Sequence, residues 1–580
     1  MAGQKHQQTA RNDNRVPMAP WRHLLVLIAV IGTSGAVAGR LVQLQVLDHE
    51  FLSEQGEART ARIEPIDANR GVIRDRNDEP LAVSTPVKTL WANPGELEPG
   101  APAIGQLAEV ADLDETRLRE RLAQNSEREF LYLRRKVQPS LAREVMDLGI
   151  AGVYSRREYR RYYPAGEVTS HVLGFTNIDE QGQEGLELSY NHWLAGEKGS
   201  KRVLRDNRGR TIRDLGPIRE ARPGNDLTLS LDLRLQYLAY RELKAAVEAH
   251  EARGGTVVML DVDSGEVLAM ANQPALNPND RDQRDPARVR NRAITDLYEP
   301  GSTVKPFTAA AALESGKFTP ETMVNTSPGY RQMGAYTIRD HRDYGRLSLT
   351  DIVVHSSNVG ISRVASDLSG EQLQSLFYSV GFGQSTGIGF PGESVGILPA
   401  SVNLRPVEVA ALSYGYGLSV NALQMAQAYM TLANGGIRYP VSLLKNDEPP
   451  KGQRVMAKET ARQVRAMLAD VVEDGTGARA DQGIYRLAGK TGTVHLVGAS
   501  GYEADQYKAL FAGMGPVDDP QVVTVVTVDA PSRTEYYGGE VAAPIFGRIM
   551  GDALRLLNVS PAGGASMADD DATDGTGGQG

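Results

Sequence analysis

The chain has 580 residues, of which 41% are hydrophobic and 23% are charged, and its formal net charge is −9. This length exceeds one compact domain and predicts about two to four domains. The acidic balance argues against nucleic acid as the main partner, because binding phosphates requires a basic surface. The absence of cysteine excludes disulfides, thiolate catalysis and cysteine zinc sites.

The N-terminus combines positive charge with an apolar run. Residues 1–20 carry Lys5, Arg11 and Arg15 against Asp13, and no charge occurs between Leu24 and Gly39. Positive charge before an apolar run predicts a cytoplasmic tail over 1–20, with the rest of the chain outside.

The apolar run is either a cleavable signal peptide or a membrane anchor. A signal peptide would end at the small-x-small site Ala36-Val37-Ala38. An anchor would have to extend over Arg40 towards Leu47, because a bilayer needs roughly 20 residues. Apolar character continues past Ala38, so we predict a transmembrane anchor over 21–46.

The next region, 47–225, mixes short strands, turns and helices. Two alternating apolar segments flank Asn77-Asp78 between residues 69 and 84, a pattern that predicts a hairpin. The basic run at 155–164 has two interpretations. The first is a solvated strand or loop whose arginines pair with local acids, and the second is a contact surface for protein or cell-wall polymer.

A second large region, 226–560, begins with a short strand and a helix predicted from Asp232 to His250. A hairpin is predicted over 256–272, around the turn 263–265. Two late strands flank residues 518–520, and the sequence "VVTVVTV" in the second is typical of a strand buried on both faces. The pattern predicts one antiparallel sheet built from early and late strands, with a long helical insertion between them.

The chain is predicted to close with a helix and a tail. The helix is expected from about Ala543 to Leu557, with Pro544 in its first turn. The tail, 561–580, is acidic and glycine-rich, and it has too little apolar surface to fold alone.

The stretch "EPGSTVKPF" raises the possibility of catalysis. Ser302 is either a helix N-cap or a nucleophile whose base is Lys305, three residues later on the same helix. Free lysine titrates near 10.4, so this base requires burial or a second cation, which Lys490 could supply. Ser-x-x-Lys alone is weak evidence, because Ser442 and Lys445 match it in a predicted strand or loop.

Two further motifs follow in order. Ser356-Ser357-Asn358 stands about 50 residues after Ser302, and the one Lys-Thr-Gly begins at Lys490. Glycines around Lys490-Thr491 would let a strand approach a ligand closely. Other Ser-x-Asn matches begin at Ser189, Ser401 and Ser419, of which Ser419 is better explained as a helix start. The ordered triple is a known signature of penicillin-binding proteins and serine β-lactamases.

With these motifs, the chain resembles the class B penicillin-binding proteins, and among them the division-specific members. The resemblance runs from about Arg22 to Leu557. It includes the segments "NRGVIRDRNDEPLAVS", "YPAGEVTSHVLGFTN", "GQEGLELSYNHWLAGEKG", "RNRAITDLYEPGSTVKPF", "YGYGLSVNALQMAQAY" and "EYYGGEVAAPIFGRIMG". It implies an α+β multidomain protein with a transmembrane helix, a mixed α/β pedestal and a penicillin-binding transpeptidase domain similar to serine β-lactamases.

The resemblance also implies a reaction without cofactor or metal. Ser302 would attack the D-Ala-D-Ala carbonyl of a peptidoglycan stem pentapeptide, and an acceptor amine, diaminopimelate in our expectation, would then complete the cross-link. Lys305 would be the general base, Ser356 would relay the proton, and Asn358 would bind the substrate amide and position Lys305. β-Lactams would acylate Ser302 as substrate mimics.

The remaining implied contacts bind the substrate. The terminal carboxylate would meet the motif formed by Lys490, Thr491, Gly492 and Thr493. Backbone N–H groups of Ser302 and Thr493 would form the oxyanion hole, and Tyr536 and Tyr537 would form an aromatic wall. The implied partners are FtsW and the division proteins FtsQ, FtsL, FtsB and FtsN, at the septum of the inner membrane.

Several alternatives stay open at this point. They are a side-wall elongation transpeptidase, a D,D-carboxypeptidase, a serine β-lactamase, and a catalytically inactive divisome scaffold or β-lactam receptor.

Overall fold

A computed structural model describes residues 20–50, 61–97, 100–205, 211–282, 285–400, 404–448, 450–498, 501–532 and 534–561 of the chain. Two predictions concern segments outside this description. The cytoplasmic tail before Pro20 and the acidic tail after Pro561 lie outside the described residues.

The first element is a long apolar helix. It runs over Pro20–Val42 and continues as a π-helical turn, Gln43–Leu47. Its apolar side chains are exposed within the described part of the chain, and Ile31, for example, is 63% exposed. Residues 21–47 are long and apolar enough to cross a membrane. The helix passes through Arg40, whose guanidinium donates to the Gln43 side chain at 2.8 Å.

The region predicted as a pedestal contains two sheets and several helices. One sheet has the order β1-β6-β7, and the other has the order β4-β3-β2-β8 with β5 on β3. The strands are β1 Ala61–Ile66, β2 Ile73–Arg74, β3 Pro80–Ala92, β4 Leu131–Val137, β5 Val153–Tyr162, β6 Gly199–Arg205, β7 Thr211–Arg219 and β8 Leu227–Thr228. The helices are Ala103–Val110, Glu115–Gln124, Pro139–Asp147, Gly166–Thr169 (3-10), Ser170–Leu173, Gly185–Ser189 and Asn191–Leu194.

The predicted hairpin at 69–84 is confirmed, because β2 and β3 pair antiparallel across the turn. Asp78 in that turn has φ +67°. This left-handed conformation is tolerated best by glycine, asparagine and aspartate.

The basic run forms β5, and one of its arginines contradicts the solvated interpretation. Arg156 pairs with the local acid Glu158, as expected. Arg161, however, is 5% exposed and donates to Glu187 at 2.6 Å. The other oxygen of Glu187 accepts from Arg70 at 2.7 Å. The carboxylate of Glu187, which is distant in sequence, therefore holds Arg161 in the core. The local sequence around the basic run does not show this pairing.

The second region is built on one five-stranded antiparallel sheet of order β10-β9-β19-β18-β17, as predicted. Its strands are β9 Gly254–Asp261, β10 Val267–Gln273, β17 Ala488–Gly498, β18 Gly501–Gly515 and β19 Val522–Asp529. Every residue of β19 is buried, because the strand lies between β9 and β18 and both faces of the sheet are covered by other elements.

Alternate residues of the sheet face two separate cores. In β9, Val257 belongs to the core shared with the helices Leu233–Ala249 and Gly538–Leu556. Val258 belongs to the opposite core, which packs against the long helical insertion. This alternation follows from the two-residue period of a strand.

The insertion contains the remaining elements. Its helices are Pro286–Val289, Arg292–Thr295, Gly301–Val304 (3-10), Lys305–Glu314, Leu349–Val354, Asn358–Ser366, Gly370–Ser379, Pro406–Ser413, Ala422–Ala433, Lys458–Glu473 and Ala478–Ala480 (3-10). Its short strands form three hairpin-like pairs: β11 Met323–Asn325 with β14 Arg346–Ser348, β12 Tyr330–Met333 with β13 Tyr336–Arg339, and β15 Ile437–Arg438 with β16 Gln453–Arg454.

The predicted start of the closing helix is wrong. The helix begins at Gly538, so Pro544 lies in its interior rather than in its first turn. The Gly538 amide donates to Thr493 Oγ1 at 2.9 Å, which satisfies an otherwise unpaired group at the helix start.

Ser419 is not a helix start either. The cap of Ala422–Ala433 is Asn421, which forms a reciprocal capping box with Gln424. Ser419 instead pairs through its backbone with Ile397.

Candidate active site

Ser302 lies on a tight turn that leads into the helix Lys305–Glu314. Gly301 has φ +54°, and a Cβ there would lie 2.4 Å from Val494 Cγ1, so only glycine fits. Ser302 does not act as a side-chain cap, since Pro300 holds the cap position and no capping side-chain bond forms. The ordinary-cap interpretation is therefore wrong.

Lys305 is fully buried one turn after Ser302. Its Nζ donates to Ser356 Oγ at 3.0 Å, to the Ser356 carbonyl at 2.6 Å and to Asn358 Oδ1 at 2.7 Å. Burial lowers the pKa of Lys305 well below its ordinary value, and the charge of Lys490 lowers it further. Asp340 acts in the opposite direction, but more weakly. Burial therefore favours the neutral form of an amine that contacts the side chains of Ser356 and Asn358.

A helix-to-helix turn presents Ser356 and Asn358. The helix Leu349–Val354 ends just before Ser356, which has φ +58°, a conformation that costs of order 1–3 kcal/mol in a non-glycine residue. Ser357 then caps the helix Asn358–Ser366 and donates to Asp340 Oδ2 at 2.6 Å. Asn358 Nδ2 donates to the Arg339 carbonyl at 3.2 Å, so both ends of its amide are occupied.

The Lys-Thr-Gly motif lies on β17, an edge strand of the sheet that contacts the turn carrying Ser302. Lys490 is fully buried, and burial lowers its pKa to about 7. Its Nζ lies 3.4 Å from the hydroxyls of Thr476 and Thr491. A Cβ at Gly492 would lie 3.0 Å from Thr303 Cγ2, which explains the need for glycine at this approach.

The two threonine hydroxyls after Lys490 are arranged differently. Thr491 Oγ1 lies 2.8 Å from Thr476 Oγ1, and Thr493 Oγ1 accepts from the Gly538 amide. Because the Thr493 oxygen already accepts, its own proton remains available to an anion in the cleft.

These elements enclose a cleft of about 770 Å³, within the range of about 300–1,000 Å³ typical of ligand sites. The predicted site residues that line it are Ser302, Ser356, Asn358, Thr491, Gly492, Thr493, Tyr536 and Tyr537. The predicted residues Lys305 and Lys490 lie buried beneath this surface.

Tyr536 and Tyr537 form part of a longer aromatic wall than expected. Their rings stack at 4.5 Å, and Tyr507 stacks on Tyr536 at 4.3 Å. His495 also lines the cleft and packs on Tyr507 at 4.5 Å. His355 instead stacks on Tyr344 outside the cleft.

Sequence reasoning missed Thr476, Asp340 and Tyr507. Each belongs to a segment outside the three sequence motifs, and the residues around it give little indication of a functional role. The only local signal is the sequence "GTG" around Thr476, a threonine between two glycines.

The second Ser-x-x-Lys is not assembled into a site. Ser442 Oγ donates to the Leu444 carbonyl at 2.7 Å, whereas Lys445 Nζ donates to the Arg76 carbonyl at 3.1 Å. This segment is a loop, so the two side chains do not share a helix face. The Ser401 match lies outside the described residues.

Comparison with known families identifies two domains. The model described as "Penicillin binding protein transpeptidase domain" matches residues 255–551. The model described as "Penicillin-binding Protein dimerisation domain" matches residues 65–229.

Curated relatives align over nearly the whole chain. The chain is 42% identical to the probable peptidoglycan D,D-transpeptidase PbpC of Pseudomonas aeruginosa over 93% of its length and 96% of that protein. It is 39% identical to the peptidoglycan D,D-transpeptidase FtsI of Escherichia coli K12 over 97% of its length and 96% of that protein.

Solved structures have the same fold. Penicillin-binding protein 3 of Mycobacterium tuberculosis, complexed with aztreonam, superposes with a TM-score of 0.67 at 28% identity. The alignment covers 86% of this chain and 98% of that structure. Because both domain models match and the identity extends over almost the full length of its relatives, this chain belongs to the class B penicillin-binding proteins.

Proposed function

We propose that this protein is a peptidoglycan D,D-transpeptidase that cross-links stem peptides through an acyl-enzyme on Ser302 during septal wall synthesis. The observation that carries the proposal is the placement of Lys305. Its buried amine contacts Ser356 Oγ at 3.0 Å and Asn358 Oδ1 at 2.7 Å beneath a cleft that Ser302 lines.

Acylation starts with proton transfer from Ser302 Oγ to neutral Lys305. The oxygen attacks the carbonyl carbon of the penultimate D-alanine, and the backbone N–H groups of Ser302 and Thr493 stabilise the oxyanion. Lys305 returns the proton through Ser356 to the leaving nitrogen. The C–N bond then breaks, and D-alanine leaves.

The substrate carboxylate is bound by hydroxyls above a buried cation. Thr491 and Thr493 face the cleft, and Thr476 supports Thr491. Lys490 does not line the cleft, so it attracts the substrate carboxylate through its charge and not through a direct contact. Asn358 positions Lys305 through its side-chain oxygen, and its side-chain nitrogen donates to the Arg339 carbonyl. One of these two hydrogen bonds must break before Asn358 can bind the substrate amide.

Deacylation repeats the steps with an amine as nucleophile. The acceptor amine gives a proton to Lys305 through Ser356 and attacks the acyl carbon, and Ser302 leaves with a proton restored. A β-lactam enters the same route as far as the acyl-enzyme, because ring opening leaves the former amide nitrogen attached.

The septal role and membrane setting rest on the apolar N-terminal helix and on relatives named FtsI. We infer a single-pass inner-membrane protein with a cytoplasmic N-terminus, a periplasmic catalytic domain and FtsW among its partners. A fluorescent fusion should concentrate at the division site. An even distribution along the side wall would favour the elongation alternative.

Cross-linking of pentapeptide-bearing glycan strands tests the activity. Wild-type protein should produce cross-linked dimers, detected by mass spectrometry after digestion of the glycan, and Ser302→Ala should produce none. Ser442→Ala is the matched control and should retain activity. Release of D-alanine without dimers would identify a carboxypeptidase, and rapid release of hydrolysed penicillin would identify a β-lactamase.

A further inference from the structure

A second groove lies apart from the catalytic cleft and shares no lining residue with it. Its volume is about 670 Å³. Cations contributed by three separate segments line it: Lys317 after the nucleophile helix, Arg331 on β12 and Arg363 on the helix Asn358–Ser366.

The groove is positively charged although the whole chain has a net charge of −9. Asp367 is the one carboxylate among its described lining residues. Lys317 and Arg331 donate to neutral groups, namely the Asp367 carbonyl and the Ser362 carbonyl, each at 2.7 Å. Among the described residues, none of the three cations forms an ion pair, whereas Arg70 and Arg161 in the pedestal share Glu187.

Arg363 has the least satisfied side chain of the three. Its Nε is buried and has no hydrogen-bond partner in the described structure. A buried donor without a partner costs about 1–3 kcal/mol. Burial and then the charge of Arg363 lower the pKa of Arg331, and the charge of Asp367 raises it less strongly, so the two guanidinium charges are only partly compensated. An anion between the two guanidinium groups would compensate their charges.

The wall formed by β11 indicates the shape of the ligand. β11 pairs with β14 on one edge, and no described strand pairs with its other edge. Met323 on this strand is 48% exposed, and Val324 and the largely buried Phe318 also line the groove. A free strand edge with alternating side-chain pockets is a recognised binding mode for extended peptides.

We propose that this groove binds an extended acidic peptide, which adds to the free edge of β11 and places a carboxylate between Arg331 and Arg363. Lys317 neutralises a second carboxylate of the peptide at the exposed end of the groove. The volume is far larger than an inorganic anion requires, and the edge of β11 that no described strand pairs with favours a peptide over a free ion.

The test uses the full chain in detergent and a fluorescein-labelled tetra-aspartate peptide, with binding followed by fluorescence anisotropy at low salt. We expect saturable binding that weakens with salt and that is about tenfold weaker in Arg363→Gln, which loses a charge-assisted bond. Arg405→Gln removes an exposed arginine elsewhere and should bind like wild type. A tetra-asparagine peptide should not bind.

Lys317→Gln is the second variant, because Lys317 is exposed and its loss should not affect folding. It should weaken binding about threefold. Absence of binding to the wild-type protein, equal affinity in wild type and both groove variants, or displacement of the peptide by equimolar inorganic phosphate would overturn the proposal.

Discussion

The pedestal and the catalytic region bury their charges in opposite ways. In the pedestal, the Glu187 carboxylate is fully buried between Arg70 and Arg161, at 2.7 and 2.6 Å. Beneath the catalytic cleft, Lys305 and Lys490 are equally buried, but no described carboxylate forms an ion pair with either of them.

This difference separates a structural use of buried charge from a chemical one. Paired ions keep their charges, and removing one partner leaves the other uncompensated. Unpaired amines lose their protons more easily, because burial disfavours the charged form. The pKa of Lys305 falls well below its ordinary value, as a general base requires, and that of Lys490 falls to about 7.

Removing the Lys305 amine should have the largest effect on activity. In Lys305→Gln, acylation by penicillin should fall by about 10²–10⁴-fold, the usual contribution of a general base. The free energy of unfolding should fall by only about 1–3 kcal/mol, the cost of buried hydrogen bonds left unmade, because no ion pair is lost. Stopped-flow acylation and calorimetry measure the two effects separately. A variant that acylates within tenfold of wild type would exclude Lys305 as the base.

Removing the pedestal carboxylate should have the reverse effect. Glu187→Gln leaves two buried guanidinium groups uncompensated and should lower the free energy of unfolding by about 3–5 kcal/mol. The protein that remains folded should acylate at the wild-type rate. Glu459→Gln, in an exposed pair with Arg462, is the control and should leave the unfolding midpoint unchanged. Unchanged stability in Glu187→Gln would contradict the comparison.

Acid should weaken the contact between the two regions through His171. Burial lowers the pKa of His171 from 6.5 to about 4, and its Nε2 donates to the Arg288 carbonyl at 2.8 Å. Because the folded pKa is the lower one, the stabilisation is complete above pH 6.5 and disappears as the pH falls to about 4. The shift corresponds to about 3 kcal/mol.

Denaturant unfolding between pH 7 and 4 measures this effect. The loss of unfolding free energy between pH 7 and 4 should be smaller by about 3 kcal/mol in His171→Gln, because glutamine cannot be protonated. Parallel pH profiles for the two proteins would exclude His171 as the titrating group.

The smallest predicted effect concerns Lys490 and the pH profile of acylation. The rate should rise as Lys305 loses its proton, and carboxylate recognition should weaken above about pH 7 as Lys490 becomes neutral. In Lys490→Gln the alkaline decline should disappear, and the acid limb should move to higher pH because a charge that lowers the pKa of Lys305 is gone. An unchanged profile would show that Lys490 does not titrate in this range.

Much of the fold could be predicted because its signals are local. The hairpin at 256–272, the buried run of β19 and the helix predicted from about Asp232 to His250 each depend on a short segment, and each is confirmed. The start of the closing helix was missed because it depends on Thr493, about 45 residues away in sequence.

The candidate site also combines features that depend on a short segment with features that depend on distant residues. The spacing of Ser302 and Lys305 is a local property, and the structure puts Ser302 in the 3-10 turn directly before the helix that begins at Lys305. The left-handed backbone of Ser356, the support from Asp340 and the contact between Thr476 and Thr491 arise only from tertiary packing. Burial of Arg161 against Glu187 is hidden in sequence for the same reason.

Mass spectrometry of the penicillin adduct tests the central claim most directly. Full-length protein is acylated, digested, and sequenced by fragmentation to locate the added mass. We predict a single adduct on Ser302, formed more slowly in Lys305→Gln and absent in Ser302→Ala. An adduct on Ser356 or Ser442, or acylation that persists in Ser302→Ala, would contradict the assignment of Ser302 and Lys305 as the reactive pair.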